Sequence, residues 1–245
     1  MLPALGKGHR AKMAAKSRVI AVLGGMGPHA TAAFYQTLLD LTPAKKDRDH
    51  LRIIVDNNPH IPSRTRHFLY GEESPFPGML ECCKKLERYP VGLVALPCNS
   101  AAVFVPRLQA QLGIPVLNII DVTANAVTRN HPEASRVAAL GGYITYKYQA
   151  YRPFLQAHGV DLFVHGAEIQ ADVEKLIETL KLAKADEAHS RALMQLFSRM
   201  RTQFEAQAIV LACTEFRCLP AKVGDIPVID SSLELARYTV RIAMS

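Results

Sequence analysis

Two cysteines, Cys98 and Cys213, each end a short apolar run: Val91-Gly-Leu-Val-Ala-Leu-Pro-Cys98-Asn-Ser-Ala and Gln207-Ala-Ile-Val-Leu-Ala-Cys213-Thr-Glu215. Runs this short and this rich in Val, Ile and Leu read as buried strands. A thiol therefore sits twice at the carboxyl end of a strand, where open parallel α/β sheets bind ligands. The small polar residues that follow are expected to open helices whose unpaired N–H groups favour thiolate over thiol. Two thiols facing one small cavity, one ionised and one protonated, can remove a proton from a carbon beside a carboxylate and return one on the opposite face. Cysteine suits both roles because modest electrostatic help brings its pKa near neutrality. The charge that develops on the carboxylate oxygens needs donors around it: Asn99 and Ser100 after the first thiol, Thr214 after the second, and helix-terminal N–H groups.

The surrounding chain repeats too. Arg18-Val-Ile-Ala-Val-Leu-Gly-Gly25 returns as Arg136-Val-Ala-Ala-Leu-Gly-Gly142, and Gly113-Ile-Pro-Val-Leu-Asn118 returns as Asp225-Ile-Pro-Val-Ile-Asp230. The offsets are 117 residues for Gly24 and Gly141, 115 for the cysteines and 112 for the third pair. Three matches in one order at nearly one spacing predict two copies of one βα unit. Related by an approximate two-fold, the halves would point their strand-end thiols at each other across a cleft. The expected fold class is α/β: two similar domains with parallel sheets flanked by helices, a pseudo-two-fold between them and the active site in the interdomain cleft. The expected boundaries are a basic tail over 1–17, a first domain of 18–118 plus 225–245, and a second of 119–224.

Strand and helix patterns alternate along the chain, which predicts parallel sheets covered on both faces. In the first half the strands fall at 19–23, 51–55 and 91–96, and helices at 30–41 and 79–88. Pro28 suits a helical first turn, where its missing N–H costs nothing. A polar loop spans 56–65 and a turn region 72–78. In the second half strands are expected at 137–140, 162–164 and 209–212, with one long polar-faced helical region over 171–203.

A chain of 245 residues, 49% of them hydrophobic, can bury a real core. The formal charge of +7 is concentrated at one end: Lys7, Arg10, Lys12, Lys16 and Arg18 all precede the first acidic residue, Asp40, and leave about +2 for the rest. With neither a basic stripe nor interleaved aromatics, a nucleic-acid partner is not expected. No run of 18 apolar residues is present, so no membrane span is expected. The five cysteines, Cys82, Cys83, Cys98, Cys213 and Cys218, form no disulfide framework, which fits a reducing cytoplasm.

Other chemistries fare worse. Gly25-Met-Gly27-Pro-His-Ala30, with Asp56 ending the next strand, matches a dinucleotide fingerprint. However, Pro28 removes an N–H from the phosphate cradle, Gly141-Gly-Tyr-Ile-Thr145 lacks the pattern, and the paired cysteines stay unexplained. Cys213 and Cys218 find no nearby pair to complete a zinc site, so no metal is expected. Cys82 and Cys83 lie mid-helix as packing residues. His60 and His67 flank the polar loop but read as surface histidines, and Ser100 lacks a nucleophile-elbow glycine frame.

Five segments carry a resemblance: Leu23-Gly-Gly-Met-Gly-Pro28-His-Ala-Thr31, Thr42-Pro-Ala-Lys45, Asn57-Asn-Pro-His-Ile-Pro62-Ser-Arg-Thr65, Pro97-Cys-Asn-Ser100 and Ala212-Cys-Thr-Glu215. Together, in unchanged order from about Arg18 to the C-terminus, they resemble the aspartate/glutamate racemase family, most of all its aspartate racemase branch. The resemblance implies a two-domain pseudo-symmetric enzyme, commonly dimeric, that needs neither pyridoxal phosphate nor metal and acts on a small amino acid. It implies Cys98 and Cys213 as the two catalytic thiols. The implied substrate-binding set is Met26, Asn58, Arg64, Thr65, Asn99, Ser100, Ala101, Thr145, Thr214 and Glu215. Glu215 and the Gly24-Gly-Met26 turn point to the aspartate branch, since glutamate racemases usually place histidine after Cys-Thr and an Asp-Ser pair at the first turn. Arg64 would suit the side-chain carboxylate of aspartate, a bidentate contact that lysine could not match. The chain departs from the family pattern at Ser100 (usually threonine), Ala102 (commonly histidine) and Ser63 (frequently aspartate). The family's substrate-binding lysine is flanked rather than matched by Lys181 and Lys184.

Three other readings remain beside it. One is a racemase of the same fold acting on glutamate or another amino acid. Another is a one-thiol relative of the maleate isomerase or decarboxylase kind. The third is a dicarboxylate-binding protein that kept the cleft without the chemistry.

Overall fold

The computed structural model describes residues 19–182, 185–219 and 226–245. The basic tail expected over 1–17 lies outside them, as do Lys184 and Asp225. The chain divides into two compact units, one running up to Ile119 and resuming over Leu235–Ser245, the other Ile120–Glu234.

The first unit is built on β1 (Val19–Gly24), whose apolar run is buried from its second residue onward. Helix α1 (Pro28–Leu41) follows with Pro28 in its first turn. Strand β2 (Arg52–Asn57) leads to two helices, α2 (Arg64–Tyr70) and α3 (Phe76–Leu86). Strand β3 (Leu93–Ala95), helix α4 (Val105–Gln109) and strand β4 (Val116–Leu117) complete the order. The sheet runs β2-β1-β3-β4, all parallel, with Val22 between Val55 and Ala95. Ala21 and Leu23 pack with Met79, Cys83 and Leu86 of α3 and Leu108 of α4. Ile20 and Val22 point to the other face by the strand's period of two and are equally buried. A parallel strand covered on both faces accounts for the unbroken apolar run.

Helix α2 falls within and beyond the stretch read as a polar loop. Its Ser63 N-cap hydroxyl accepts from the Arg66 N–H at 3.3 Å, and Gly71 ends it in the left-handed region at φ 68°. Both are ordinary helix start and stop signals. They bracket too few apolar residues to show a helical period.

The second unit repeats the plan with α5 (Ile119–Asn130), β5 (Arg136–Gly141), α6 (Tyr143–Lys147), α7 (Arg152–Gln156), β6 (Asp161–Phe163), α8 (Ala167–Leu182), α9 (Glu187–Phe204), β7 (Ala208–Ala212) and β8 (Val228–Asp230), after which α10 (Ser231–Met244) carries the chain back into the first unit. Its sheet runs β6-β5-β7-β8, again all parallel. The single helical region expected over 171–203 is two helices. Asp186 caps the second, its Oδ1 accepting from the His189 N–H at 3.0 Å. The apolar stripes of both pack on Ala138 and Leu140.

The expected return to the first domain at 225 falls later, between Glu234 and Leu235 within α10. Val228–Asp230 is the edge strand of the second sheet, just as Val116–Leu117 is of the first. A duplicated strand stays with the duplicated sheet because its ladder partner, β7, is there.

Gly25 binds the first unit's β1 turn to the loop after β2. Its φ is 89°, and a Cβ would lie 2.2 Å from the backbone carbon and oxygen of Asn58. Gly25→Ala is expected to lower stability by about 3 kcal/mol, combining left-handed strain with a backbone clash. A thermal melt should read this as a drop of roughly 10 °C; an unchanged midpoint would mean that the close approach is easily relieved.

Candidate active site

In each sheet the chain leaves the first strand toward one neighbour and later returns on the other side. This puts a topological switch point between β1 and β3, and another between β5 and β7. Loops diverge at such points and leave a crevice beyond the carboxyl ends of the strands. Cys98 follows β3 and Cys213 follows β7, so each thiol stands at its own sheet's switch point.

In the first unit, Cys98 is buried at 6% exposure, beside buried Asn99 and Ala101 and half-buried Ser100. The Ala102 N–H reaches the carbonyls of both Cys98 and Asn99 at 3.1 Å and starts a 3-10 turn over Ala102–Phe104. The helix expected directly after the thiol thus begins only at Val105, with Pro106 in its first turn. Likewise Cys213 opens a 3-10 turn over Thr214–Cys218 and no α-helix. The donors beside each sulfur are therefore those of one tight turn.

The glycine turn is held by Thr31, whose hydroxyl accepts from the Gly25 N–H at 3.0 Å and donates to the Gly27 carbonyl at 2.8 Å. With that N–H engaged and Pro28 lacking one, the turn makes a poor phosphate cradle. Met26 is buried, and its carbonyl accepts from Arg64 Nη2 at 3.0 Å, while Arg64 Nη1 donates to the Pro62 carbonyl at 3.3 Å. Arg64 Nε is buried with no partner. The guanidinium is thus fixed against the glycine turn with a donor to spare, from the first residue of α2, with half-buried Thr65 beside it. Asn58 is differently placed: its Nδ2 donates to Cys82 Sγ at 3.3 Å and its Oδ1 accepts from the His60 N–H at 3.0 Å. Its side-chain amide therefore braces the loop.

Cys82 and Cys83 are both buried in α3. Burial pushes both thiols up, Cys83 to about 12. His60 is exposed, and His67 sets its Nδ1 2.8 Å from the Glu72 carbonyl.

In the second unit, Gly141 pairs with Ala212, the residue before Cys213. A Cβ on Gly141 would lie 2.8 Å from the Ala212 oxygen and 3.1 Å from Thr145 Cβ, so the second glycine turn, Thr145 and the Cys213 turn are closely packed. Cys213 is half-buried, Thr214 and Glu215 are buried, and Thr145 is buried with its hydroxyl unpartnered. Behind them Tyr151, wholly buried, shares its hydroxyl with Thr123 and Ser231 and lies close enough to feel charge on Cys213; burial pushes its phenol up. Ser231 Oγ in turn donates to the Leu211 carbonyl at 2.7 Å. Asp230 caps α10, accepting from the N–H groups of Ser232 at 2.8 Å and Leu233 at 3.1 Å, with Arg217 3.5 Å away. Burial outweighs these partners and pushes its carboxyl up.

Sequence reasoning missed Tyr151, His165, Gln170 and Asp230, all buried polar groups of this unit. Only Asp230, just before a helical stretch, carried a local signal, that of an N-cap. Lys181 is exposed in the last turn of α8. Among the described residues no three His, Cys, Asp or Glu side chains gather as a metal site, and no helix is long and apolar enough to cross a membrane.

The sequence profile of the Asp/Glu/Hydantoin racemase family matches residues 23–239, spanning both glycine turns and both cysteines. The chain belongs to this racemase family. A family relative, the broad specificity amino-acid racemase RacX of Bacillus subtilis, is 30% identical over 227 residues, 91% of this chain and 96% of that protein. Among solved racemase structures, the aspartate racemase of Picrophilus torridus superposes with a TM-score of 0.81 at 27% identity, covering 93% of this chain and 95% of that one. The glutamate racemase RacE1 of Bacillus anthracis shares the racemase fold, with a TM-score of 0.65 at 19% identity over 94% of this chain and 82% of that one. The two parallel four-stranded sheets flanked by helices are the architecture of these racemases.

Proposed function

We propose that this chain is a cofactor-independent amino-acid racemase that interconverts L- and D-aspartate, with Cys98 and Cys213 as the acid–base pair. The observation that carries the reading is the placement of one cysteine at the switch point of each duplicated sheet. In the mechanism, the thiolate of one cysteine removes the α-proton while the other, protonated, delivers a proton to the opposite face; the roles reverse with direction. The carbanion is tolerated because its charge spreads onto the α-carboxylate, which the donors beside each thiol, Asn99, Ser100 and Thr214, would surround. Arg64, held against the Met26 carbonyl with Nε unpartnered, would take the side-chain carboxylate. The likeness to an aspartate racemase supports this choice of substrate. RacX, named for broad specificity, favours a second reading in which several amino acids are turned over. The homodimer that the family resemblance implies and a reducing compartment for two free thiols belong to the same proposal.

Purified protein incubated in heavy water with each enantiomer of a panel of amino acids, with nothing added, is the test. The expected result is approach to a racemic mixture from both sides for aspartate, with one solvent deuteron at Cα per inversion. Deuterium entry without inversion, or turnover of maleate instead, would point to one-thiol chemistry. Thermal stabilisation by aspartate without exchange would leave only binding.

A further inference from the structure

Thr145 Oγ1 and His165 Nε2 are both buried without a hydrogen-bond partner, in side chains only 3% and 2% exposed. Both residues line one small cavity in the second unit, closed by Tyr146, Gln149, Tyr151 and Val164. The imidazole is held in place: its ring stacks on Tyr146 at 5.0 Å between centroids and 11° between planes. Its Nδ1 lies 3.4 Å from the Gly166 carbonyl. Two buried polar atoms left unpaired are costly, and the cavity that their residues line, about 10 Å³, is the size of a single water.

We propose that His165 is a positioning residue for Thr145: through one buried water it turns the Thr145 hydroxyl into a donor for a substrate carboxylate. The inference rests on the reading of Thr145 as a substrate-binding residue. The polarity follows from which atoms face carbonyls. Two carbonyls face the ring, Gly166, 3.4 Å from Nδ1, and Ala139; in the proposed tautomer Nδ1 carries the ring's single proton toward them, which leaves Nε2 as an acceptor. Burial favours the neutral ring, pushing the imidazole down. A water between the two residues then donates one hydrogen to Nε2 and the other to Thr145 Oγ1. The Gly141 carbonyl, four residues before Thr145, already accepts from Gln170 Nε2 at 3.0 Å. A hydroxyl that accepts from the water keeps its own O–H as a donor, and a substrate carboxylate would accept it.

The test pairs two variants with a measurement that needs no turnover. His165→Phe keeps the flat stacking ring and deletes the acceptor; His165→Gln keeps an amide oxygen near the Nε2 position. The expected result is that His165→Phe raises KM for the racemised amino acid about tenfold with kcat little changed. His165→Gln should restore KM to within about threefold, and His165→Phe should add nothing in a Thr145→Val background. Equal KM in all variants, equal loss in Phe and Gln, or a fall in kcat alone would overturn the proposal. Imidazole ¹⁵N spectra of the wild-type protein give the second readout: Nε2 should be the unprotonated nitrogen, with a shift that moves in Thr145→Val. A proton on Nε2 would overturn the proposal even in an active enzyme. The expected spectra in a protein that racemises nothing would instead leave the His165–Thr145 link standing and remove the racemase reading beneath it.

Discussion

Cys98→Ala and Cys213→Ala are each expected to lower the racemisation rate by at least about 10³-fold, the upper range for loss of a positioned acid or base. The two losses should not add, because a proton removed on one face without delivery on the other completes no inversion. Each variant keeps one thiol, and the survivor can still exchange the α-proton of the enantiomer whose hydrogen faces it. Opposite variants should therefore wash deuterium into opposite enantiomers without inverting either, a pattern that mass spectrometry after chiral separation reads directly. Cys83→Ala is the control. Its thiol, buried in α3 and pushed up to about 12, has almost no thiolate at neutral pH, and the variant should racemise at near the parent rate. Full turnover by either single variant, or loss of activity in Cys83→Ala without loss of fold, would end the two-thiol mechanism.

Arg64→Lys is expected to raise KM for aspartate by about 10- to 100-fold, the cost of replacing a bidentate charge-assisted contact by a point charge. The structure adds a second reason. The guanidinium reaches two backbone carbonyls, Met26 and Pro62, at once, and so sets its own direction as well as that of the glycine turn. Lysine cannot hold both. An amino acid with an uncharged side chain should lose far less than aspartate in the same variant, since only the side-chain carboxylate is addressed. Equal losses for both would assign Arg64 to the α-carboxylate or to the loop, and an unchanged KM for aspartate would remove it from the site.

Much of this fold was legible because its signals are local. Buried parallel strands must be apolar throughout, so β1, β3 and β7 announce themselves as runs of Val, Ile, Leu and Ala. The same local logic failed at α2, whose Ser63 and Gly71 signals enclose too little apolar sequence. It failed again between α8 and α9, where the polar face hid the interruption at Asp186. The edge strand β8 was misassigned to the first half although its repeat with β4 was visible; ladder partners follow from sheet order, which no single segment encodes.

The buried polar groups show the limit most clearly. Nothing around Tyr151 or His165 distinguishes them from surface residues, since their burial comes from segments distant in the chain, such as Thr123, Ser231 and Tyr146. The turns after the cysteines are a milder case. Small polar residues there predict a helix start, but the backbone closes into 3-10 turns before any α-helix forms.

From residue order alone follow the duplication, the two parallel sheets, the strand-end cysteines and the racemase resemblance, because each is a pattern of types and spacings along one chain. Only the tertiary structure decided that both cysteines lie at switch points, that Arg64 is braced by the Met26 carbonyl, and that Thr145 and His165 share one small cavity. Those are matters of strand order and of which buried polar atoms find partners. They are fixed when separate segments pack together, and no stretch of sequence carries them by itself.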